Sequence, residues 1–210
     1  MEIIAIIPAR GGSKSLPWKN IRPFLGRPLI YWSIIAALRA AAVTRVIVST
    51  DSSKIADIAV KTGAEAPFIR PQELSGDDVV DYPVIRHCLD YLYEIEGYSA
   101  ELVVQLRPTS PIRPLGLIDQ GIHQLLEVDR ADSLRVVCTP TNNPYKMWRI
   151  EEGFLVPLFE SGIPEQFNQP RQKLPVAYWQ IGTLDVIRTR TIYKKKSTTG
   201  NVVLPLVVEP

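Results

Sequence analysis

The chain has 210 residues, enough for one substantial core with a small appendage, and its 24 Lys and Arg against 22 Asp and Glu leave a net charge of +2. That balance argues against nucleic acid or a membrane surface as a partner. Cys88, Cys138, His87 and His123 are too few and too scattered for a disulfide framework or a zinc site, and no run approaches the ~20 apolar residues of a spanning helix.

The apolar run after Met1-Glu2 reaches Ile7 and breaks at Pro8 and Arg10, which reads as a buried strand rather than a signal peptide. The cytoplasm is the expected compartment. That strand, near residues 2–8, runs straight into a glycine-bearing basic loop, Ala9-Arg10-Gly11-Gly12-Ser13-Lys14, continued by Ser15-Leu16-Pro17-Trp18-Lys19-Asn20. Gly11 and Gly12 allow close approach of backbone N–H groups to an anion. Arg10, Lys14 and Lys19 surround the same space with positive charge. Arg suits bidentate contacts to phosphate oxygens, and Lys is a mobile point charge that can follow charge developing on a leaving pyrophosphate. The loop therefore reads as a triphosphate cradle. It is neither a P-loop nor a dinucleotide fingerprint, both of which need other glycine spacings.

Further along, β-branched runs alternate with helical periodicity, the pattern of an α/β fold with a largely parallel sheet. Strands are expected near 2–8, 45–50, 66–69, 102–107 and 133–138, and helices near 27–41, 52–62, 82–96 and 116–128. Asp51-Ser52-Ser53 suits the start of the second helix. In the third, Ile85, Cys88, Leu89 and Leu92 form one buried stripe, so Cys88 is read as a core residue, and His87 and His123 as surface or hydrogen-bonded histidines. Ile118, Ile122 and Leu125 form the stripe of the fourth. Ligands in such sheets bind beyond the carboxyl ends of the strands. Four segments there are polar: Ala9–Asn20, Ser49-Thr50-Asp51, Arg70–Asp81 and Gln105–Arg113.

From Pro140 to about Tyr178 the alternation stops, and Pro, Asn, Gln and aromatics dominate. The expected organisation is one domain over 1–210 with 140–178 as an excursion. That excursion is read as packing on a second subunit, with a local lid as the alternative. The chain closes with the strand-like run Val202–Pro210.

With all these segments in view, the chain resembles the acylneuraminate cytidylyltransferases. The resemblance rests on Ile6–Lys14 with Leu16-Pro17 and Lys19-Asn20, Val48-Ser49-Thr50-Asp51, Arg70-Pro71-Gln72-Glu73-Leu74, Gln105–Arg113 and Gln169–Pro175, five motifs in family order. It implies a Rossmann-like nucleotidyltransferase fold, a mostly parallel twisted sheet flanked by helices. It implies a homodimer that joins CMP from CTP to a 3-deoxy-2-keto acid sugar with Mg2+ and releases pyrophosphate.

By position, the resemblance puts the nucleotide against Pro8, Ala9, Arg10, Gly11 and Asn20, and its phosphates against Gly12, Ser13, Lys14 and Lys19. Arg10, Lys14 and Lys19 would be the catalytic cations. Arg70 falls on the nucleotide side, Gln105 with Thr109 and Ser110 on the sugar-facing loop, and Arg171 on an arm closing over the sugar. The chemistry is consistent with this: in-line attack on the α-phosphate needs positioning and charge neutralisation rather than a nucleophile triad.

Two departures stand out. The family's Arg-x-Asn-Gly-Ala-like stretch is replaced here by Tyr178-Trp179-Gln180-Ile181-Gly182-Thr183, which removes expected polar contacts to the sugar. Another nonulosonate, an octulosonate or a sugar phosphate thus stays open as acceptor. The family's Asp-Ile-Asp-Thr-like metal motif does not occur before Pro210, so the metal ligands are not assigned, with Asp51, Asp77, Asp78 and Asp185 as options. Truncation is the expected reason. The alternatives are a nucleotidyltransferase acting on a sugar 1-phosphate with another base, and a non-catalytic nucleotide-binding homologue.

Overall fold

The computed structural model describes residues 1–14 and 16–209, so Ser15 of the basic loop and Pro210 of the terminal run lie outside the described residues. The chain divides into two compact units, one of Met1–Val136 with Gly182–Leu206, the other of Val137–Ile181 with Val207–Pro210.

The first unit begins with β1 (Ile3–Pro8), whose Ile-Ile-Ala-Ile-Ile stretch is buried throughout. Such a run, apolar on both faces, suits a central strand. A short hairpin of β2 (Pro23–Phe24) and β3 (Arg27–Pro28) leads to α1 (Leu29–Leu38), and β4 (Arg45–Ser49) and α2 (Ser53–Thr62) follow. Next come α3 (Asp81–Glu96), β5 (Leu102–Gln105), α4 (Leu117–Leu126) and β6 (Ser133–Cys138). After the hairpin of β7 (Trp148–Glu151) and β8 (Phe154–Pro157), the chain runs through β9 (Trp179–Arg188), α5 (Thr189–Lys195) and β10 (Val203–Val207). The main sheet has the order β10-β6-β9-β5-β1-β4. β1 pairs in parallel with both β4 and β5, and β5 pairs antiparallel with β9.

Register decides what each face carries. Ile4 pairs with Val103, Val103 with Ile187, and Ile6 with both Ile47 and Gln105. Ile4, Ile6, Ile47, Val103 and Ile187 accordingly pack in one cluster against Ile85, Cys88 and Leu92 of α3. On the opposite face α4 approaches closely at Gly121, where a Cβ would lie 3.0 Å from Leu184 Cδ2 and 3.3 Å from Leu134 Cδ2. A side chain there would push the helix off the sheet. Burial of the two faces by helices on either side is what makes the strands read as continuous apolar runs.

The structure departs from the sequence reading in several places. Residues 66–69 do not form a strand; only an isolated bridge joins Ile47 to Glu65, because Pro67 offers no N–H to continue a ladder. The first helix starts at Leu29, since Arg27-Pro28 closes the β2–β3 hairpin around Leu25-Gly26. The third helix was expected correctly and stops at Gly97, whose left-handed backbone (φ 66°) donates to Leu92 and Tyr93 carbonyls. β9 and α5 were not foreseen.

The second unit carries the β7–β8 hairpin, with Trp148 stacked on Phe167, ring centroids 3.6 Å apart. Gln166 is buried there: its oxygen accepts from Ser161 N–H and Oγ–H, and its Nε2 donates to the Tyr145 and Phe159 carbonyls. Ile150, Phe154 and Leu155 of the hairpin stand exposed.

Candidate functional site

Beyond the carboxyl ends of β1 and β5 lies a cavity of about 270 Å³. From the end of β1 it takes Pro8, from the basic loop Arg10, Ser13, Lys19 and Asn20, and from elsewhere Arg70, Asp77, Asp81, Arg107 and Thr109. Seven of the residues expected from the sequence thus meet in one place: Pro8, Arg10, Ser13, Lys19, Asn20, Arg70 and Thr109. Gly11 and Gly12 line an adjoining open groove with Ser13, Trp18, Asp51 and Ser52.

The loop is pinned by its own chain. Ala9, fully buried, donates its N–H to the Ser49 carbonyl at 2.9 Å. Asn20, also buried, donates Nδ2–H to the Arg10 carbonyl at 2.9 Å. Gly11 N–H donates to Asp51 Oδ1 at 2.8 Å, so Asp51 braces the loop instead of capping α2; Ser52 is the cap, accepting from Ile55 N–H. Neither Gly11 nor Gly12 has a positive φ. Gly11 sits at a close approach, where a Cβ would meet Ser52 Cβ at a tight 3.3 Å, whereas Gly12 faces open space. Trp18 of the loop is left-handed (φ 56°), an unusual conformation for a bulky side chain, with Lys54 Nζ 5.1 Å from its ring centroid.

Charge in the cavity is arranged around Arg70. The residue is only 4% exposed, and among the described residues its side chain hydrogen-bonds from Nε–H to the neutral Ser75 Oγ at 3.2 Å. Burial, above all, pulls the Arg70 pKa below its ordinary value, opposed by Asp51 and reinforced by Arg10. A buried cation without a bound carboxylate is an electrostatic liability unless an anion shares the site. Arg10 and Lys14 both engage Asp77, with Lys14 Nζ 2.5 Å from Asp77 Oδ2. Those bonds, that from Lys14 first, hold the Asp77 carboxyl below the usual carboxylate range.

Arg107 forms the far wall. It donates to Asp81 Oδ2 at 2.6 Å and to Asp185 Oδ2 at 2.8 Å, while Arg135 grips the other oxygen of Asp185 at 2.6 Å. Asp185 is 1% exposed. The carbonyl of Arg107 accepts from both Ser33 and Arg113, and the Ser110 N–H, so the Arg107–Ser110 segment is a rigid turn. Burial lowers the Arg113 pKa to about 10.

Other expected residues lie elsewhere. Gln105 is fully buried in β5, on the sheet face that α3 covers, and it does not line the cavity; neither of its amide atoms finds a hydrogen-bond partner among the described residues. Arg171 belongs to the second unit, where it donates to the Pro140 carbonyl at 3.0 Å. His87, expected at the surface or hydrogen-bonded, is half-buried edge-on to Phe68, and its Nδ1 has no partner among the described residues. Cys88 is buried, and burial pushes its thiol pKa up. Sequence reasoning missed Arg107 as a wall residue, although its place two residues beyond the end of β5, in the Gln105–Arg113 segment singled out as polar, was the signal that could have found it. It also missed the pairing of Asp77 with the loop.

Among the described residues no cluster of three or more His, Cys, Asp or Glu could hold a metal ion. Asp51, Asp77, Asp81 and Asp185 are each engaged by N–H donors of the chain. They do not form a preassembled Mg2+ site.

A mostly parallel α/β sheet covered by helices, with a cationic loop beyond its central strand and the buried Arg70 beside it, is the arrangement of a Rossmann-like nucleotidyltransferase fold. The chain belongs to the cytidylyltransferase family, whose model matches residues 4–149. It is 44% identical over 139 residues to the CMP-N,N'-diacetyllegionaminic acid synthase of Legionella pneumophila, covering 65% of this chain and 57% of that protein. It is 36% identical over 127 residues to the pseudaminic acid cytidylyltransferase of Campylobacter jejuni, covering 60% and 54%. The chain spans about half the length of these curated relatives. Among solved structures, a CMP:2-keto-3-deoxy-manno-octonic acid synthetase complexed with CTP aligns with a TM-score of 0.71 at 14% identity, covering 100% of this chain and 91% of that one. A 4-diphosphocytidyl-2C-methyl-D-erythritol synthase from Anaerococcus prevotii aligns at 0.61, also at 14% identity, covering 98% and 88%. At such identities the likeness is one of fold.

Proposed function

We propose that this protein transfers CMP from CTP to a 3-deoxy-2-keto acid sugar of the nonulosonate type and releases pyrophosphate. The observation that carries the reading is Arg70, a buried guanidinium in a cavity wall with a neutral hydroxyl as its hydrogen-bond partner. An anionic polyphosphate would supply the missing counter-charge, shared by Arg10 and Lys19 of the same cavity and by Lys14, which is bound to the cavity's Asp77 but does not itself line it. Membership of the cytidylyltransferase family supports cytosine as the base, and relatives named for legionaminic and pseudaminic acids support a nonulosonate acceptor.

In this reading Arg10, with its carbonyl fixed by Asn20, orients the α- and β-phosphates, while Lys14 and Lys19 neutralise charge building on the departing pyrophosphate. Arg70 provides fixed positive potential from beneath, without reorganisation as charge develops. Arg107 and Thr109 border the acceptor side, and Gln105 sits in the layer below, stiffening that wall rather than touching the sugar. Ser110 fixes the turn through its N–H, and for Arg171 a sugar-side role rests on the resemblance alone. The resemblance implies Mg2+, but Asp51, Asp77, Asp81 and Asp185 are already engaged by N–H donors of the chain. A homodimer is part of the proposal, with the apolar β7–β8 hairpin as its contact surface.

The test is a pyrophosphate-release screen of CTP, UTP, GTP and ATP against keto-acid sugars and sugar phosphates in magnesium buffer. Turnover confined to CTP with a keto-acid sugar is expected. Turnover with another nucleotide and none with CTP would overturn the proposal.

A further inference from the structure

Arg10 and Lys14, the first two cations of the basic loop, do not point freely into the cavity. Both are bound by one carboxylate, Asp77, which lines the same cavity. Lys14 is 84% exposed, so packing does not fix its ammonium; the bond to Asp77 at 2.5 Å is what places it. Asp77 itself rides on the short segment between the one-turn helix Gln72–Leu74 and α3, beside Gly76, and its side chain is about a quarter exposed (27%).

A carboxylate and a phosphate compete for the same donors, since each offers only acceptor oxygens to guanidinium and ammonium groups. We propose that Asp77 is an internal counter-anion: it occupies the phosphate subsite of the free protein and is exchanged for the nucleotide's phosphates on binding. The proposal rests on reading this cavity as a polyphosphate site, and adds to it a built-in competitor. The arrangement has two consequences. In the free protein the cations are held near their working positions by Asp77 rather than dispersed in solvent. A ligand must also carry enough negative charge to displace a carboxylate, which favours a triphosphate over weak anions.

The probe is inorganic tripolyphosphate, titrated calorimetrically into the full chain without divalent metal, with CTP as a second ligand. Two partly exposed ion pairs are removed in Asp77→Asn, so tripolyphosphate should bind about 3- to 20-fold more tightly. Asp77→Ser serves as the second variant, with folding of each checked by circular dichroism. Asp77→Glu keeps the anion and should stay near the unaltered protein. Asp78→Asn removes the adjacent exposed charge, which makes no ion pair among the described residues, and should change affinity by less than about twofold through screened field alone. Unchanged or weaker binding in Asp77→Asn and Asp77→Ser overturns the proposal, as does an equal gain in Asp78→Asn. If the unaltered protein and every variant bind neither tripolyphosphate nor CTP, the polyphosphate reading itself fails and takes this proposal with it. That outcome is distinct from a protein that binds both ligands with no effect of Asp77.

Discussion

Asp185 and Gln105 face each other across the antiparallel β5–β9 pair, yet only Asp185 reaches the cavity, through the guanidinium of Arg107 2.8 Å away. The acid is buried between Arg107 and Arg135. Asp185→Asn keeps the shape but removes the charge both arginines bind, and should lower stability by roughly 3 kcal/mol, the cost of unbalancing a buried ion pair. Urea unfolding measures this. The same variant should raise the KM for the acceptor more than that for CTP, because Arg107 borders the acceptor side.

Arg70 predicts the opposite balance. Its burial costs stability, so Arg70→Met should leave the unfolding midpoint unchanged or raise it. CTP affinity should nevertheless fall by about 10-fold or more, the loss of a charge-assisted contact to phosphate. A variant that lost stability and affinity together would show that Arg70 serves the fold.

Lys14→Ala should reduce kcat by about 100-fold or more while leaving the thermal unfolding curve in place, since the side chain is exposed and its role is to meet charge in the transition state. Near-normal turnover would remove Lys14 from the chemistry.

How much of this was legible beforehand differs by region. Ile3–Ile7, buried on both faces, and the Ile85-Cys88-Leu89-Leu92 stripe of α3 were readable because burial imposes periodicity directly on the residue types. The basic loop was readable because its residues are adjacent in sequence. Arg107 and Asp77 were harder. What makes each important is a partner far along the chain, Asp185 for one and the Arg10–Lys14 loop for the other, and local pattern holds no record of such pairs. β9 escaped for a related reason: Thr183 and Asp185 interrupt its apolar run, and Asp185 is tolerated there only because Arg107 and Arg135 pair with it.

Acid stability should depend on Asp132. Burial pushes its carboxyl pKa up, but Lys195 Nζ–H and the N–H groups of Val202 and Asn201 outweigh this and hold it at about 2, against an ordinary 3.8. The unfolded chain therefore takes up the proton first. The stabilisation is complete above the unfolded value of 3.8 and is lost as pH falls toward about 2. Asp132→Asn should be less stable at neutral pH and lose that part of the acid dependence, as followed by unfolding midpoints across this range.

For the assembly, sedimentation at micromolar concentration should give a dimer, and replacing exposed Phe154 by Asp should give a monomer of unchanged secondary structure. A monomeric unaltered protein would remove the hairpin from its proposed role.

The central claim is that the cavity beyond β1 takes the polyphosphate of a cytidine nucleotide. Calorimetric titration of cytidine, CMP and CTP into the full chain in magnesium buffer tests it most directly. The account predicts saturable CTP binding, with affinity rising from cytidine through CMP to CTP and the rise largely abolished in Arg70→Met. Equal affinity for cytidine and CTP, or no heat with CTP, would contradict it.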